Sequence, residues 1–130
     1  MYLFWYILEM DKLILSVKFF MTDSGNEPVR EWLRTLSSQD KKTIGEHIKT
    51  VQIGWPLGMP LVKHLDDDIW EVRVKLHNRI ARILFVMSHQ SMVLLHGFIK
   101  KDQKIPKSDF DLAKERLKLL RGKSESITHR

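Results

Sequence analysis

Apolar and polar residues alternate with a period of two near the start of the chain. Leu13, Leu15, Val17, Phe19 and Met21 oppose Ile14, Ser16, Lys18 and Phe20, which predicts a strand over about 12–21. Thr22-Asp23-Ser24-Gly25-Asn26 is a turn cluster. Asn26 is placed to cap a helix whose first turn holds Glu27 and Pro28, where a carboxylate meets the positive end of the helix dipole and a missing N–H loses nothing. The period then lengthens. Val29, Trp32, Leu33 and Leu36 share one face of a helix over 27–36. Ser37 or Ser38 can cap a second helix, over 38–53, with Ile44, Ile48 and Val51 inward and Lys41, Lys42, Glu46 and Lys49 mostly outward. The two form an αα-hairpin.

Two prolines and two glycines make 54–60 a loop. Three strands follow. In 69–76, Trp70, Val72, Val74 and Leu76 share one face and Glu71, Arg73 and Lys75 the other, the mark of an antiparallel strand with one wetter face. His77-Asn78 is a tight turn. The segments 79–88 and 92–100 are apolar on both faces and read as central strands, so the last needs a further neighbour, for which the first strand is available. A final helix spans 108–121, capped by Ser108 or Asp109, with Phe110, Ala113, Leu117 and Leu120 as its stripe; Gly122 ends it. The order β-α-α-β-β-β-α describes one α+β domain with a small, mainly antiparallel sheet over residues 10–121, followed by a polar tail at 122–130.

Residues 1–9 fall outside that pattern. Tyr2 to Leu8 is apolar throughout, but far shorter than the ~20 residues that span a bilayer, and it lacks the basic flank and cleavage site of a secretory signal. It is either an added edge strand or packing arm, or it lies upstream of the true start. The complete strand that opens at Met10 favours the second.

Composition narrows the classes. At 130 residues the chain is long enough for one core without staples. It has no cysteine, which excludes a disulfide framework, a thiolate metal site and a thiol nucleophile, and suits a reducing cytoplasm. A formal net charge of +6 favours nucleic acid or acidic protein surfaces as partners.

The charge is concentrated where a polyanion can be held. The apolar strand Leu95-His96-Gly97-Phe98-Ile99 runs into Lys100-Lys101-Asp102-Gln103-Lys104 and stops at Pro106, before the last helix. Together with Pro60 to Leu65, Ile69 to Val74, Arg79 to Phe85 and Asp111 to Leu117, in this order and spacing, this stretch resembles the phage-derived HigB-like branch of RelE/HigB-type toxins, in the RelE/ParE superfamily of type II toxin–antitoxin systems. The resemblance covers roughly residues 10–121 and implies the RelE-like microbial ribonuclease fold.

It also implies an activity: ribosome-dependent mRNA endonuclease, cleaving by attack of the ribose 2′-OH on the adjacent phosphate, without metal or cofactor. Such a step needs a base near the hydroxyl, cations on the phosphate, and an acid for the leaving oxygen. Arginine suits the phosphate because its planar fork donates paired hydrogen bonds and stays charged. On the resemblance, Lys63, His64, Arg73, Arg82 and Lys100 are the catalytic candidates, with Arg79, Lys101 and Lys104 on the RNA. From the residues alone, Arg73 reads as a partner of Glu71 or another carboxylate on an exposed sheet face. Arg82 interrupts an apolar strand, so its charge must be paired or near water, which leaves a structural ion pair and an anion site equally open. Lys100 and Lys101 also read as strand-end solubilisers, and adjacent strand residues point to opposite faces.

His96 reads as a core imidazole bonded to backbone, on a face with Leu94 and Phe98, whereas His77 and His89 sit in turns. The histidines lack ligand-like spacing and Asp66-Asp67-Asp68 reads as a tight acidic turn, so no metal is expected. Trp32 and Trp70 lie on apolar stripes; Trp55, in the loop, is the one candidate for base stacking, with packing the competing use. The implied partners are mRNA, the ribosome and a cognate helix-turn-helix antitoxin, with no membrane. Two alternatives stay open: a ParE-like toxin inhibiting a protein such as DNA gyrase, and a non-catalytic nucleic-acid-binding protein.

Overall fold

The computed structural model describes residues 15–55, 62–66, 68–100 and 104–128, with side chains as far as residue 123. The expectations for residues 1–9, for the start of the first strand, for most of the 54–60 loop and for Lys101 lie outside these residues. Five strands form one sheet: β1 (Ser16–Phe19), β2 (Val62–Asp66), β3 (Ile69–Leu76), β4 (Arg79–Ser88) and β5 (Ser91–Lys100). Its order is β1-β5-β4-β3-β2. β2 to β5 form an antiparallel meander, and β1 closes the far edge parallel to β5, with Ser16 opposite Ser91 and Phe19 opposite Leu94. The helices are α1 (Pro28–Arg34), α2 (Ser38–Gly54) and α3 (Lys107–Thr128). The fold is α+β, compatible with a small RelE-like domain.

The two-sided apolarity of β4 and β5 dictates three layers. On one face α1 and α2 pack Val29, Ile44, Ile48 and Val51 against Val72, Val74, Ala81, Ile83, Phe85, Met92 and Leu94. On the other, α3 packs Ala113 and Leu117 against Ile69, Leu84, Val86, Val93, Leu95 and Phe98. The final helix therefore lies on the opposite side of the sheet from the αα-hairpin. Trp32 and Trp70 border the first core, and Trp55 meets Trp70 and Phe85 edge-on at 4.8 and 5.8 Å, so packing is its role here.

Local chemistry departs from expectation at several points. β2 lacks a readable signal, because this short edge strand carries Lys63, His64 and Asp66 with little apolar alternation. Glu27, not Asn26, is the N-cap of α1. Asn26 instead closes the preceding turn, donating its N–H to Thr22 Oγ1 and accepting from the Thr22 N–H. Ser37 caps α2 by accepting from the Asp40 N–H. Ser108 and Asp109 fall inside the first turn of α3. That helix also passes Gly122 without ending and reaches Thr128, as α2 passes Gly45: glycine weakens a helix by up to about 1 kcal/mol relative to alanine but does not force a left-handed stop. Among the described residues no helix is long and apolar enough to cross a membrane.

A bulge sets the faces of β5. Leu84 pairs with His96 and Phe85 with Leu94, leaving Leu95 as the extra residue. Strict alternation would place Leu94 with His96 and Phe98. The bulge sends Leu94 into the α1/α2 core, and Leu95 and Phe98 into the α3 core.

Gly97, two residues beyond, faces Trp32 so closely that a Cβ there would overlap the indole Cε3 and Cζ3. Gly97→Ala is expected to force the ring aside and destabilise the fold by about 1–3 kcal/mol, the usual penalty of overpacking. Urea denaturation checks this; an unchanged midpoint would mean that Trp32 moves freely.

Candidate anion-binding site

On the α3 side of the sheet, the described residues leave a depression at the end beyond the start of α3. There the wetter face of β3 carries Glu71 and Arg73, β4 adds Arg82, and β2 adds Lys63 and Leu65. These residues, with Lys104 and Ile105 from the approach to α3, line a depression of about 320 Å³. Among the described residues of the lining, four cations therefore accompany one carboxylate.

Glu71 and Arg82 form its floor. Both are buried, at 0 and 1% exposure. Arg82 Nη1 donates to Glu71 Oε2 at 2.9 Å, and Arg73 Nε lies 3.5 Å from Glu71 Oε1. Arg73 is part-exposed, and Lys63 and Lys104 are exposed at the rim. The arrangement follows from register: Arg73 stands directly opposite Arg82, and Lys63 directly opposite Glu71. The two meanings left open for Arg82 thus coincide in one place. It is an ion-paired core residue and it lines a cationic depression.

The other candidates lie elsewhere. His64 faces the opposite side of β2, with its ring 4.7 Å from that of Trp70. Arg79 also turns to the α1/α2 face, where it donates to Asp40 Oδ2 at 3.0 Å, near the start of α2. Lys100 does not line the depression; its Nζ lies 3.4 Å from Asp109 Oδ2. A one-residue change of position along a strand reverses the face, and this separates Lys63 from His64.

Asp109 also meets His96, whose Nε2 lies 2.7 Å from Oδ1, a carboxylate contact where a backbone bond was expected. The second ring nitrogen faces Arg116 Nη1 at 3.3 Å, and the same Nη1 donates to the Leu95 carbonyl at 2.8 Å. With both nitrogens engaged, His96 joins β5 to α3 and has no site to offer a substrate proton. Burial pushes the Arg116 guanidinium below its ordinary value, while the neighbouring Glu115 charge acts the other way.

Residues 31–118, more than half of the chain, match the model of the family described as phage-derived protein Gp49-like (DUF891). The chain belongs to this family. The Gp49-like family is RelE/toxin-like, the coarser part of the resemblance drawn from sequence. No curated protein matches the chain.

Within this Gp49-like domain, the sequence marks Glu71 only as a partner for Arg73 and gives Asp109 and Arg116 no role beyond helix formation. A glutamate flanked by apolar residues on a strand was the available signal for Glu71: like Arg82, it must be paired if the strand is covered. Nothing local signals the Asp109 contacts, which depend on where α3 docks.

If phosphates dock in the depression, Lys63→Gln and Lys104→Gln should each flatten the log–log salt dependence of single-stranded RNA binding by about 0.7. Arg79→Gln, on the opposite face, should leave that slope unchanged. Fluorescence anisotropy over a salt series measures all three, and equal slopes would place the docking surface elsewhere.

Proposed function

We propose that this Gp49-like protein is the toxin of a toxin–antitoxin pair and a ribosome-dependent mRNA endonuclease of the HigB-like branch. The observation that carries the reading is the depression in which Lys63, Arg73, Arg82 and Lys104 surround Glu71. Inhibition of a protein target needs no such phosphate-sized cluster of cations.

In this reading a phosphodiester of mRNA lies over Arg73 and Arg82. The 2′-oxygen attacks phosphorus, the bond to the 5′-oxygen breaks, and a 2′,3′-cyclic phosphate and a 5′-hydroxyl result. The two guanidinium groups stabilise the charge that builds on the non-bridging oxygens, and being fixed beforehand they spend nothing on reorganisation. Of Lys63 and Lys104, at the rim, one as the neutral amine would take the 2′-hydroxyl proton, and the other as the ammonium would give one to the leaving 5′-oxygen. His64, Arg79 and Lys100 take no part in the chemistry, because their contacts lie away from the depression. Arg79, on the opposite face, is left to the ribosome, and Lys101 to the mRNA backbone outside the reacting phosphate. The reaction is cytoplasmic, and a helix-turn-helix antitoxin holds the toxin in check. A net charge of +6 would speed and salt-sensitise its encounter with an antitoxin whose masking segment is acidic.

Arg73 is the residue to test, because Arg82→Ala would strand a buried carboxylate and destabilise the fold by about 3–5 kcal/mol. Arg73→Gln is expected to keep the fold and lower mRNA cleavage by about a hundredfold. Primer extension after brief induction, with translating and with arrested ribosomes, reads both cleavage and its ribosome dependence. Intact mRNA under the wild-type protein, or full cleavage by the variant, would defeat the reading.

A further inference from the structure

We propose that Glu71 is a positioning residue of this site, a resident anion that sets Arg73 and Arg82 as one receptor for a phosphate group. The inference rests on the endonuclease reading for its substrate, a phosphodiester of RNA.

The argument begins with register. Arg73 and Arg82 are a directly opposed pair on neighbouring strands. Like charges in that relation repel, and the burial of Arg82 denies it the screening of bulk water. Glu71 lies on the same face two residues before Arg73, diagonal to Arg82 and opposite Lys63. Its carboxylate spans the two arginines, with Oε2 on Arg82 Nη1 at 2.9 Å and Oε1 toward Arg73 Nε at 3.5 Å. One negative charge is thereby divided between two positive ones. Arg82 is hydrogen-bonded and Arg73 lies within ion-pair distance, and among the described lining residues positive charge stays in excess.

Stability alone gives little reason for this triad. A buried ion pair commonly fails to repay its desolvation, and well-packed apolar residues do as well or better at the same positions. Ile69 and Leu84, on the same face, show that the surrounding sheet accommodates apolar side chains. The charged arrangement makes sense where a second anion is to arrive. Donors fixed before the substrate binds need no rearrangement as charge develops on phosphorus. Glu71 carries the same sign of charge as the phosphate and would repel its oxygens, so it acts through the arginines and not on the substrate.

Two variants separate positioning from packing. Glu71→Gln keeps the shape and removes the charge; Glu71→Asp keeps the charge and withdraws it by one methylene, too far to span both arginines. The full-length protein is titrated with inorganic phosphate while the arginine Nε–H signals are followed by NMR. In the wild type the Arg73 and Arg82 signals should move together at millimolar phosphate. In Glu71→Asp the phosphate affinity should fall by about tenfold or more, and kcat for ribosome-bound mRNA by at least about tenfold with KM little changed.

Wild-type arginine signals that ignore phosphate would overturn the proposal. So would a folded Glu71→Asp variant with wild-type affinity and kcat, and so would loss of folding in both variants, which would assign Glu71 to stability alone. The two readings fail separately. Arginines that respond to phosphate through Glu71 in a protein that never cleaves mRNA would sink the endonuclease and keep the positioning role. Cleavage that is indifferent to Glu71→Asp would do the reverse.

Discussion

Arg82 sits in the middle of a strand that is covered on both faces, and its charge is tolerable there because the Glu71 carboxylate lies 2.9 Å away on the neighbouring strand. An isolated charge at that depth would cost several kcal/mol, more than most single contacts return. The pairing therefore constrains what surrounds it. β3 and β4 must keep the register that sets Arg73 opposite Arg82, and the wetter face of β3 must stay on the side of α3. The site is a consequence of how the sheet resolves one buried charge.

The three layers serve that arrangement. α1 and α2 close one face of the sheet completely enough to hold β3, β4 and β5 in place, while α3 covers only part of the other. What α3 leaves open is the cationic depression. The contacts of Asp109 with His96 and Lys100, and of Arg116 with the Leu95 carbonyl, fix the beginning and middle of α3 against the β5 bulge. Lys104 and Ile105 enter the lining just before that anchored turn. The bulge, the anchor and the wall of the depression are thus linked through a few residues of β5 and α3.

A division of labour among the cations follows. Arg82 is buried and hydrogen-bonded to Glu71, and Arg73 lies within ion-pair distance of the same carboxylate, an arrangement suited to groups that meet charge developing on phosphorus. Lys63 and Lys104 are exposed and carry compact charges on flexible stems, better suited to gathering a polyanion or handling a proton. Arg79, Lys100 and His64 are committed to contacts of their own, with Asp40, Asp109 and Trp70. Net positive charge steers a polyanion toward the whole molecule, but only the cluster around Glu71 gives it a shaped place to stop.

The sequence by itself determined the helices, four of the five described strands and the central position of β4 and β5, because amphipathic periods and two-sided apolar runs are local properties of the chain. It also pointed to Lys63, Arg73, Arg82 and Lys104, through strand position, charge and family resemblance. It did not reveal β2, whose edge position is satisfied by mixed residues, nor the passage of α3 through Gly122, because a glycine permits a stop without requiring one. Only the tertiary structure decided which cations share a face. Lys63 separates from His64 by the alternation of one strand, Arg79 turns to Asp40, and Lys100 is drawn to Asp109 by the docking of α3. The burial of Glu71 between two arginines depends on the register of β3 with β4, and on how much of the sheet α3 covers. Those are relations between distant segments, and no local pattern encodes them.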